Sequence, residues 1–218
     1  MKNDAHPLRI GHRGAAGHEI ENTVRSFVRA IEMGVDMIET DLRLTVDGAV
    51  VLVHDAWIVD TAGVFRQVRS LTRAELGDVA TLDDLLAVAN GRCGLMLEMK
   101  VTGLAEPTIA AVAASGFCGP LVYASFHHDE LLAVRRLQPD AATLALIHGA
   151  PVNKAQFVID AQATHAGIQV EFAEPELVSA LQQNGRKVFV YTVNQDEDIT
   201  AMKALGVDGI ISDYPDRL

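Results

Sequence analysis

Short apolar runs alternate with amphipathic stretches along the whole chain. Eight of these runs are typical of buried parallel strands, because their apolarity is continuous rather than alternating. They lie near residues 8–12, 36–41, 94–99, 121–125, 142–147, 167–172, 187–193 and 208–212. Apolar residues recur at helical spacing in 23–33, where Asn22 is a candidate N-cap and Gly34 a candidate stop. Three further helical patterns each end at a residue that stops helices: Pro139, Asn184 and Gly206.

This order of elements predicts an α/β fold of the (β/α)₈ barrel type. A doubly wound sheet has the same local pattern, but no G-x-G-x-x-G motif follows the first strand, which weakens that alternative. The 218 residues, of which 49% are hydrophobic and 22% charged, suit one globular domain over residues 1–218.

One stretch departs from the alternation. Residues 42–54 form two extended runs around Asp47-Gly48, which favours a β-hairpin that extends the second strand. A two-residue turn at Asp47-Gly48 would place Asp41 directly opposite His54, so that both side chains lie on one face.

An excursion precedes the third strand of the barrel. Residues 55–93 are predicted to contain a polar loop, a short helix near 72–77 and a second helix near 81–89. This segment is too short to be a domain, and it leaves the barrel at the end where catalytic residues of such barrels lie.

Ionisable residues stand at the ends of the first three strands and of the hairpin. They are His12-Arg13, Glu39 and Asp41, His54-Asp55, and Glu98 and Lys100. In strands two and three the members of each pair are two residues apart, so they share one face of the strand. Three carboxylates that converge on one point need a counter-charge, and all-oxygen ligands favour Mg²⁺, Ca²⁺ or Mn²⁺ over Zn²⁺.

The remaining residues at these ends indicate phosphoryl transfer. His12 and His54 suit an acid/base pair, and Arg13 and Lys100 suit an anion clamp around a phosphate. The other histidines are interpreted as surface or core residues: His6, His18, His127, His128, His148 and His165.

Each feature taken alone also has a structural interpretation. Glu98 and Lys100 could form a simple ion pair, and Asp213 could be an N-cap or turn residue. Tyr191 and Trp57 could line a pocket or belong to the core. The presence of ionisable residues at all four ends favours a functional site over these separate explanations.

The charge balance excludes some partners. With 18 basic and 29 acidic residues, the net charge is −11 and the sequence pI is about 5.1, which argues against broad nucleic-acid binding. No apolar run approaches the roughly 18 residues of a membrane helix, and the N-terminus has no signal-peptide pattern. Cys93 and Cys118 have no metal-ligand spacing and are expected to be free thiols. We therefore expect a cytoplasmic protein with a small-molecule substrate and no membrane insertion, and the oligomeric state stays open.

The chain resembles the glycerophosphodiester phosphodiesterase family at these residues. The motifs in family order are His12-Arg13-Gly14, Glu21-Asn22-Thr23, Glu39-Thr40-Asp41, Thr45-Val46-Asp47-Gly48, His54-Asp55, Glu98-Met99-Lys100, Ser125-Phe126, Thr192-Val193-Asn194 and the segment 206–213. Each motif alone is weak, whereas the ordered set over residues 11–215 is highly specific.

The resemblance implies a (β/α)₈ barrel that hydrolyses glycerophosphodiesters to glycerol phosphate and an alcohol with Mg²⁺ or Ca²⁺. The roles it implies are metal ligation for Glu39, Asp41 and Glu98, acid/base catalysis for His12 and His54, and phosphate contact for Arg13 and Lys100. Glu21 would support the site by orienting Arg13 or a water molecule.

The chain departs from the family pattern at three places, and the one at Tyr191 bears on substrate preference. Ile20 replaces a proline, Tyr191 replaces a tryptophan, and the segment after His54 is shorter than in many members. Tyr191 would keep a flat wall for substrate and add a hydroxyl group.

Three alternative functions would use some of the same residues: a phospholipase-type phosphodiesterase at lipid surfaces, a glycosidase, and a non-catalytic barrel that binds phosphate esters. The acidic balance, the histidine pair and the complete set of site positions argue against them in that order.

Overall fold

Eight parallel strands close into a barrel in the computed structural model, which describes residues 6–218. The strands are β1 (Leu8–Gly11), β2 (Met37–Leu44), β3 (Val50–Leu52), β4 (Trp57–Val59), β5 (Phe65–Gln67), β6 (Gly94–Met99), β7 (Leu121–Ser125), β8 (Ala142–Ile147), β9 (His165–Gln169), β10 (Lys187–Tyr191) and β11 (Gly209–Ser212). The barrel contains β1, β2 and β6 to β11, and β1 closes it by pairing with both β2 and β11. The predicted fold class is confirmed. Residues 1–5, part of the N-terminus considered for a signal peptide, lie outside the described part.

Within residues 6–218, seven α-helices accompany the strands. They are α1 (Val24–Glu32), α2 (Leu82–Ala89), α3 (Ala105–Ser115), α4 (His128–Leu137), α5 (Gln156–Asp160), α6 (Pro175–Gln183) and α7 (Asp196–Leu205). None of them is both long and apolar enough to cross a bilayer.

The first helix begins one residue later than expected. Thr23, not Asn22, is the N-cap, and its side chain accepts a hydrogen bond from the backbone N–H of Ser26. Gly34 follows the helix with a φ of +74°, as a C-terminal stop requires. Asn22 is instead used in the functional site, which is why the cap moves to its neighbour.

Apolar side chains fill two spaces. One set fills the barrel interior: Ile10, Met37, Met96, Val122, Ala124, Leu144, Leu146, Phe189 and Ile211. A larger set packs the outer face of the strands against the helices. Gly167 and Gly209 make room inside the barrel, since a Cβ at either position would lie 2.7 Å or less from a Leu144 or Phe189 carbon. Both faces of the strands are therefore buried, as their continuous apolarity predicted.

The hairpin exists, but the predicted register is wrong by one residue. Leu42 pairs with Leu52 and Leu44 with Val50, and the connection is a three-residue loop with Gly48 at a φ of +84°. This loop type is favoured when a glycine follows a tight turn. Asp41 is therefore opposite Val53, whose N–H donates to the Asp41 carbonyl at 3.0 Å, and His54 follows the strand.

The excursion contains a hairpin that the sequence analysis missed. Strands β4 and β5 pair antiparallel, with Trp57 stacked on Phe65. The short helix expected near 72–77 is a 3₁₀ helix over Arg73–Leu76. The helix expected near 81–89 is α2, which packs between α1 and α3 and so belongs to the ring around the barrel.

The sixth barrel strand begins earlier than predicted. The run near 167–172 gives β9 at His165–Gln169, because parallel pairing with β10 joins His165 to Lys187 and Gln169 to Tyr191. A 3₁₀ helix over Val170–Phe172 follows. Glu171, which stood at the end of the predicted strand, lies in that helix.

Candidate active site

Three carboxylates meet at the carboxyl ends of neighbouring strands. Glu39 and Asp41 share one face of β2, and the parallel pairing of β2 with β6 sets Asp41 beside Glu98. One oxygen from each of the three lies within 4.8 Å of the others, and all three residues are buried. The structure thus brings together the carboxylates that the sequence analysis selected.

The pKa values of these carboxyl groups are shifted in different directions. Burial and the charge of Asp41 raise the pKa of Glu39 from 4.5 to about 8. Burial also raises the pKa of Glu98, while for Asp41 the nearby Arg13 and Lys100 outweigh burial and lower the pKa. Glu39 Oε1 is buried without a hydrogen-bond partner. A divalent cation fits this cluster, because it supplies the missing charge and a partner for the orphaned oxygen.

Two cations border the carboxylates. Lys100 Nζ lies 2.6 Å from Glu98 Oε1 and 3.4 Å from Asp41 Oδ1. Arg13 Nε lies 3.1 Å from Asp41 Oδ2, and its Nη1 donates to both carboxylate oxygens of Glu21 at 2.8 Å. The resemblance implies that Glu21 orients either Arg13 or a water molecule, and the structure shows the contact with Arg13. Both cations are placed where they can also face an anion next to the cluster.

A tight turn after β1 carries His12, Arg13 and Gly14. Arg13 has a φ of +51° and Gly14 of +88°, and the Arg13 N–H donates to Glu39 Oε2 at 3.0 Å. A positive φ is costly for arginine and persists where the surroundings impose it, commonly at functional sites. The turn therefore delivers a backbone donor, a guanidinium and an imidazole to one place.

His12 has a partner that the sequence analysis missed. Its Nδ1 lies 2.6 Å from Asp213 Oδ1, and its Nε2 lies 3.9 Å from Glu39 Oε2. Burial opposes the charged ring, but the bond to Asp213 and the charge of Glu39 outweigh it, so the pKa of His12 is raised. Asp213 is therefore more than the turn residue expected. The sequence contains a signal for this contact, because Asp213 belongs to the closing motif and the last strand of a closed barrel lies next to the first.

Asn22 is a second functional candidate, although the sequence pattern predicts it as a helix N-cap. Its Nδ2 donates to Asp41 Oδ2 at 2.9 Å, and its Oδ1 accepts from Thr40 Oγ1 at 2.6 Å. Asn22 has a φ of +55°, which asparagine tolerates better than most residues. Its amide thus fixes one carboxylate oxygen of Asp41. Its position in the Glu21-Asn22-Thr23 motif was the signal.

His54 reaches the site from a loop rather than from a paired strand position. Its side chain is 39% exposed, and its Nδ1 lies 2.9 Å from Asp55 Oδ1. The charge of His54 contributes to the lowered pKa of Asp41. The structure therefore brings His54 to the cluster, although the predicted pairing that led to this proximity is wrong.

Tyr191 and Phe126 stand on the side of the site nearest Lys100. Lys100 Nζ lies 5.8 Å from the centre of the Phe126 ring, and Phe126 meets Tyr191 edge-on. The Tyr191 hydroxyl donates to the Ile147 carbonyl at 2.8 Å. The hydroxyl is thus engaged within the protein, and the rings provide an apolar wall.

Comparison with known proteins places this site in a family. The model of the glycerophosphoryl diester phosphodiesterase family matches residues 12–106 and 109–217. A glycerophosphodiester phosphodiesterase of Caldanaerobacter subterraneus subsp. tengcongensis is 30% identical, over 97% of this chain and 96% of its own length. One of Bacillus altitudinis is 29% identical over 95% of each chain. The solved structure of an Oleispira antarctica phosphodiesterase in complex with the product sn-glycerol-3-phosphate has a TM-score of 0.87 and 26% identity, over 97% of this chain and 95% of that one. The chain belongs to the glycerophosphoryl diester phosphodiesterase family, a family of hydrolases.

Proposed function

We propose that this protein hydrolyses glycerophosphodiesters to glycerol phosphate and an alcohol, with a divalent cation and with His12 and His54 as the acid/base pair. One observation carries the proposal. Two histidines and two cationic side chains surround three buried carboxylates at the end of the barrel where such folds hold their active sites. This set matches the needs of phosphodiester cleavage: a cation site, anion contacts and two groups that move protons.

Glu39, Asp41 and Glu98 would hold the cation. When bound, a divalent cation draws charge from the non-bridging phosphate oxygens and so favours attack at phosphorus. Both Mg²⁺ and Ca²⁺ suit all-oxygen ligands, and we propose one of these two. Asn22 would keep Asp41 turned toward the cation, since its amide already fixes one oxygen of that carboxylate.

Arg13 and Lys100 would contact the phosphate. Their present partners are carboxylates, and a cation at the cluster would satisfy those carboxylates and free the two side chains for a substrate anion. Glu21 would orient Arg13 through its paired contacts, and Tyr191 with Phe126 would form a wall for the substrate.

His12 and His54 would divide the proton transfers. His12 Nδ1 is engaged by Asp213, which leaves Nε2 to exchange a proton at the site. His54 Nδ1 is paired with Asp55, which likewise leaves the other ring nitrogen for substrate. One histidine would take a proton from the attacking group, and the other would give one to the departing alcohol oxygen.

The product side of the proposal is supported by the Oleispira antarctica relative, whose structure holds sn-glycerol-3-phosphate. We propose the same product class here, which would place the protein in glycerol and lipid metabolism. Cys93 and Cys118 are unpaired, consistent with the reducing cytoplasm that we propose as its location.

Turnover of a panel of glycerophosphodiesters, with and without EDTA, tests the proposal. We expect chelation to abolish hydrolysis and Mg²⁺ or Ca²⁺ to restore it. His12→Ala and His54→Ala should each lower kcat by about 10²- to 10⁴-fold. His18→Ala is the matched control, because His18 is paired with Asp216 on the surface. Full turnover in excess EDTA would refute the metal assignment. Near-normal kcat in either catalytic-histidine variant would remove that residue from the proton transfers.

A further inference from the structure

His12 is the end of a hydrogen-bond chain that the proposed reaction does not by itself explain. Its Nδ1 lies 2.6 Å from Asp213 Oδ1, and the other oxygen of Asp213 accepts from Asn194 Nδ2 at 2.6 Å. The chain joins three parts of the sequence: the turn after β1, the loop after β10 and the residue that follows β11. All three meet where the barrel closes.

The Asn194 amide has a fixed orientation. Its Oδ1 accepts from the backbone N–H of Asp213 and from the Ser212 hydroxyl, each at 3.0 Å. A backbone N–H can only donate, so the amide atom that faces it must be the oxygen. The Asn194 nitrogen therefore has to point at the Asp213 side chain.

We infer that Asp213 and Asn194 are positioning residues that hold His12 as the tautomer with its proton on Nδ1, and so present Nε2 to the substrate. The inference rests on the proposed role of His12. An ionised carboxylate only accepts hydrogen bonds. One oxygen of Asp213 therefore accepts from Asn194 Nδ2, and the other requires a proton on His12 Nδ1. The carboxylate also stabilises the imidazolium that exists whenever Nε2 carries the transferred proton.

Asp213→Asn should reverse the tautomer. The new amide at position 213 has one oxygen for two donors, and Asn194 cannot turn. That oxygen is therefore taken by Asn194, and the new NH₂ group faces His12 Nδ1. The ring must then accept at Nδ1 and carry its proton on Nε2. As a base it would lack a lone pair at Nε2, and as an acid it would lack the imidazolium charge.

The exchange of the two side chains, Asn194→Asp with Asp213→Asn, should restore the tautomer. A carboxylate at position 194 can accept from Ser212 and from the backbone N–H of residue 213, and also from the NH₂ of the new amide. The amide oxygen at position 213 is then free to accept from His12 Nδ1. Composition and net charge equal those of the wild type, so the double variant tests placement alone.

The experiment combines kinetics with ¹⁵N NMR of the histidine rings, assigned with His12→Ala. We expect Asp213→Asn to lower kcat by about 10²- to 10⁴-fold, as in other histidine–carboxylate pairs, with a smaller effect on KM. The double variant should recover at least about tenfold in kcat over Asp213→Asn. The His12 signal should show Nδ1 protonated in the wild type and the double variant, and Nε2 protonated in Asp213→Asn.

Asp216→Asn is the matched control, because Asp216 accepts from His18 Nε2 at 2.8 Å on the surface three residues away. It should leave kcat and the His12 signal unchanged, and circular dichroism with thermal unfolding shows which variants fold. A wild-type His12 protonated on Nε2 in its neutral form would overturn the inference. So would wild-type kcat in a folded Asp213→Asn protein, or a double variant as slow as the single one. If the wild type hydrolyses no glycerophosphodiester, the proposed function fails, and the NMR signals still decide the tautomer.

Discussion

The metal-free protein should lose stability as the pH rises, because Glu39 is buried where its charge is disfavoured. Burial and repulsion by Asp41 raise the pKa of Glu39 from 4.5 to about 8. Between these values the folded chain keeps a proton that the unfolded chain has lost, so the free energy of unfolding falls as the pH rises. The loss begins near the unfolded pKa and is complete above the folded pKa.

Glu39→Gln isolates this contribution, because the amide has a similar shape and no charge. Linkage gives about 1.4 kcal/mol per pH unit for one proton, so a rise from about pH 5 to about pH 7 should destabilise the wild type by about 3 kcal/mol relative to the variant. For a chain of 218 residues, this corresponds to a relative loss in Tm of roughly 6–12 °C.

The assay is thermal and urea unfolding in EDTA, followed by circular dichroism at several pH values between about 5 and 8. Glu32→Gln is the control, since it removes the same charge from an exposed carboxylate at the end of α1. In the wild type, saturating Mg²⁺ or Ca²⁺ should remove most of the fall in the free energy of unfolding with rising pH. In Glu39→Gln the same ions should change the pH dependence little. Parallel curves for the wild type and Glu39→Gln would refute the argument.

Three further predictions follow from local features of the structure. Glu130 is buried and accepts from three backbone N–H groups at the start of α3 at 2.7–3.0 Å. Glu130→Ala should therefore lower the free energy of unfolding, measured in urea titrations, by about 2–4 kcal/mol and change kcat little. Gly14→Ala should lower both stability and kcat, measured by unfolding and turnover, because a Cβ there would lie 2.4 Å from Ser26 Oγ at a φ of +88°. The cavity beside His54, about 380 Å³ in volume, has an exposed rim of Ile20, Glu21 and Asp78, so the departing alcohol is expected to face solvent. Choline, ethanolamine, glycerol and serine diesters should then have kcat/KM values within about tenfold, and a preference of orders of magnitude for one of them would contradict this.

The strands and the carboxylate cluster were predictable because their signals are local. Continuous apolar runs mark strands buried on both faces, and two residues at i and i+2 share a strand face whatever their neighbours are. Glu39 and Asp41 therefore needed no tertiary information, and the barrel placed Glu98 beside them.

The errors arose where local signals allow two outcomes. Asp47-Gly48 suits both a two-residue turn and a three-residue loop, and the choice decides which residue faces Asp41. Asn22 has the chemistry of a helix cap and of a ligand to Asp41, and only the packed site shows which one it uses. The β4–β5 hairpin is three residues long on each side, too short to give an alternating pattern.

The link from His12 to Asp213 could not be read locally, because 201 residues separate the two positions. It forms where β1 meets β11, at the seam that closes the barrel. His12 N donates to the Ser212 carbonyl, and Gly17 N to the Asp213 carbonyl, each at 2.9 Å. The last strand thus both closes the sheet and supplies the partner of a proposed catalytic histidine. Before this pairing forms, His12 lacks its orienting partner even if the carboxylate cluster between β2 and β6 is already complete. The proposed cation binding would therefore depend on neighbouring strands in the first half of the chain, whereas the proposed proton transfer through His12 would depend on barrel closure.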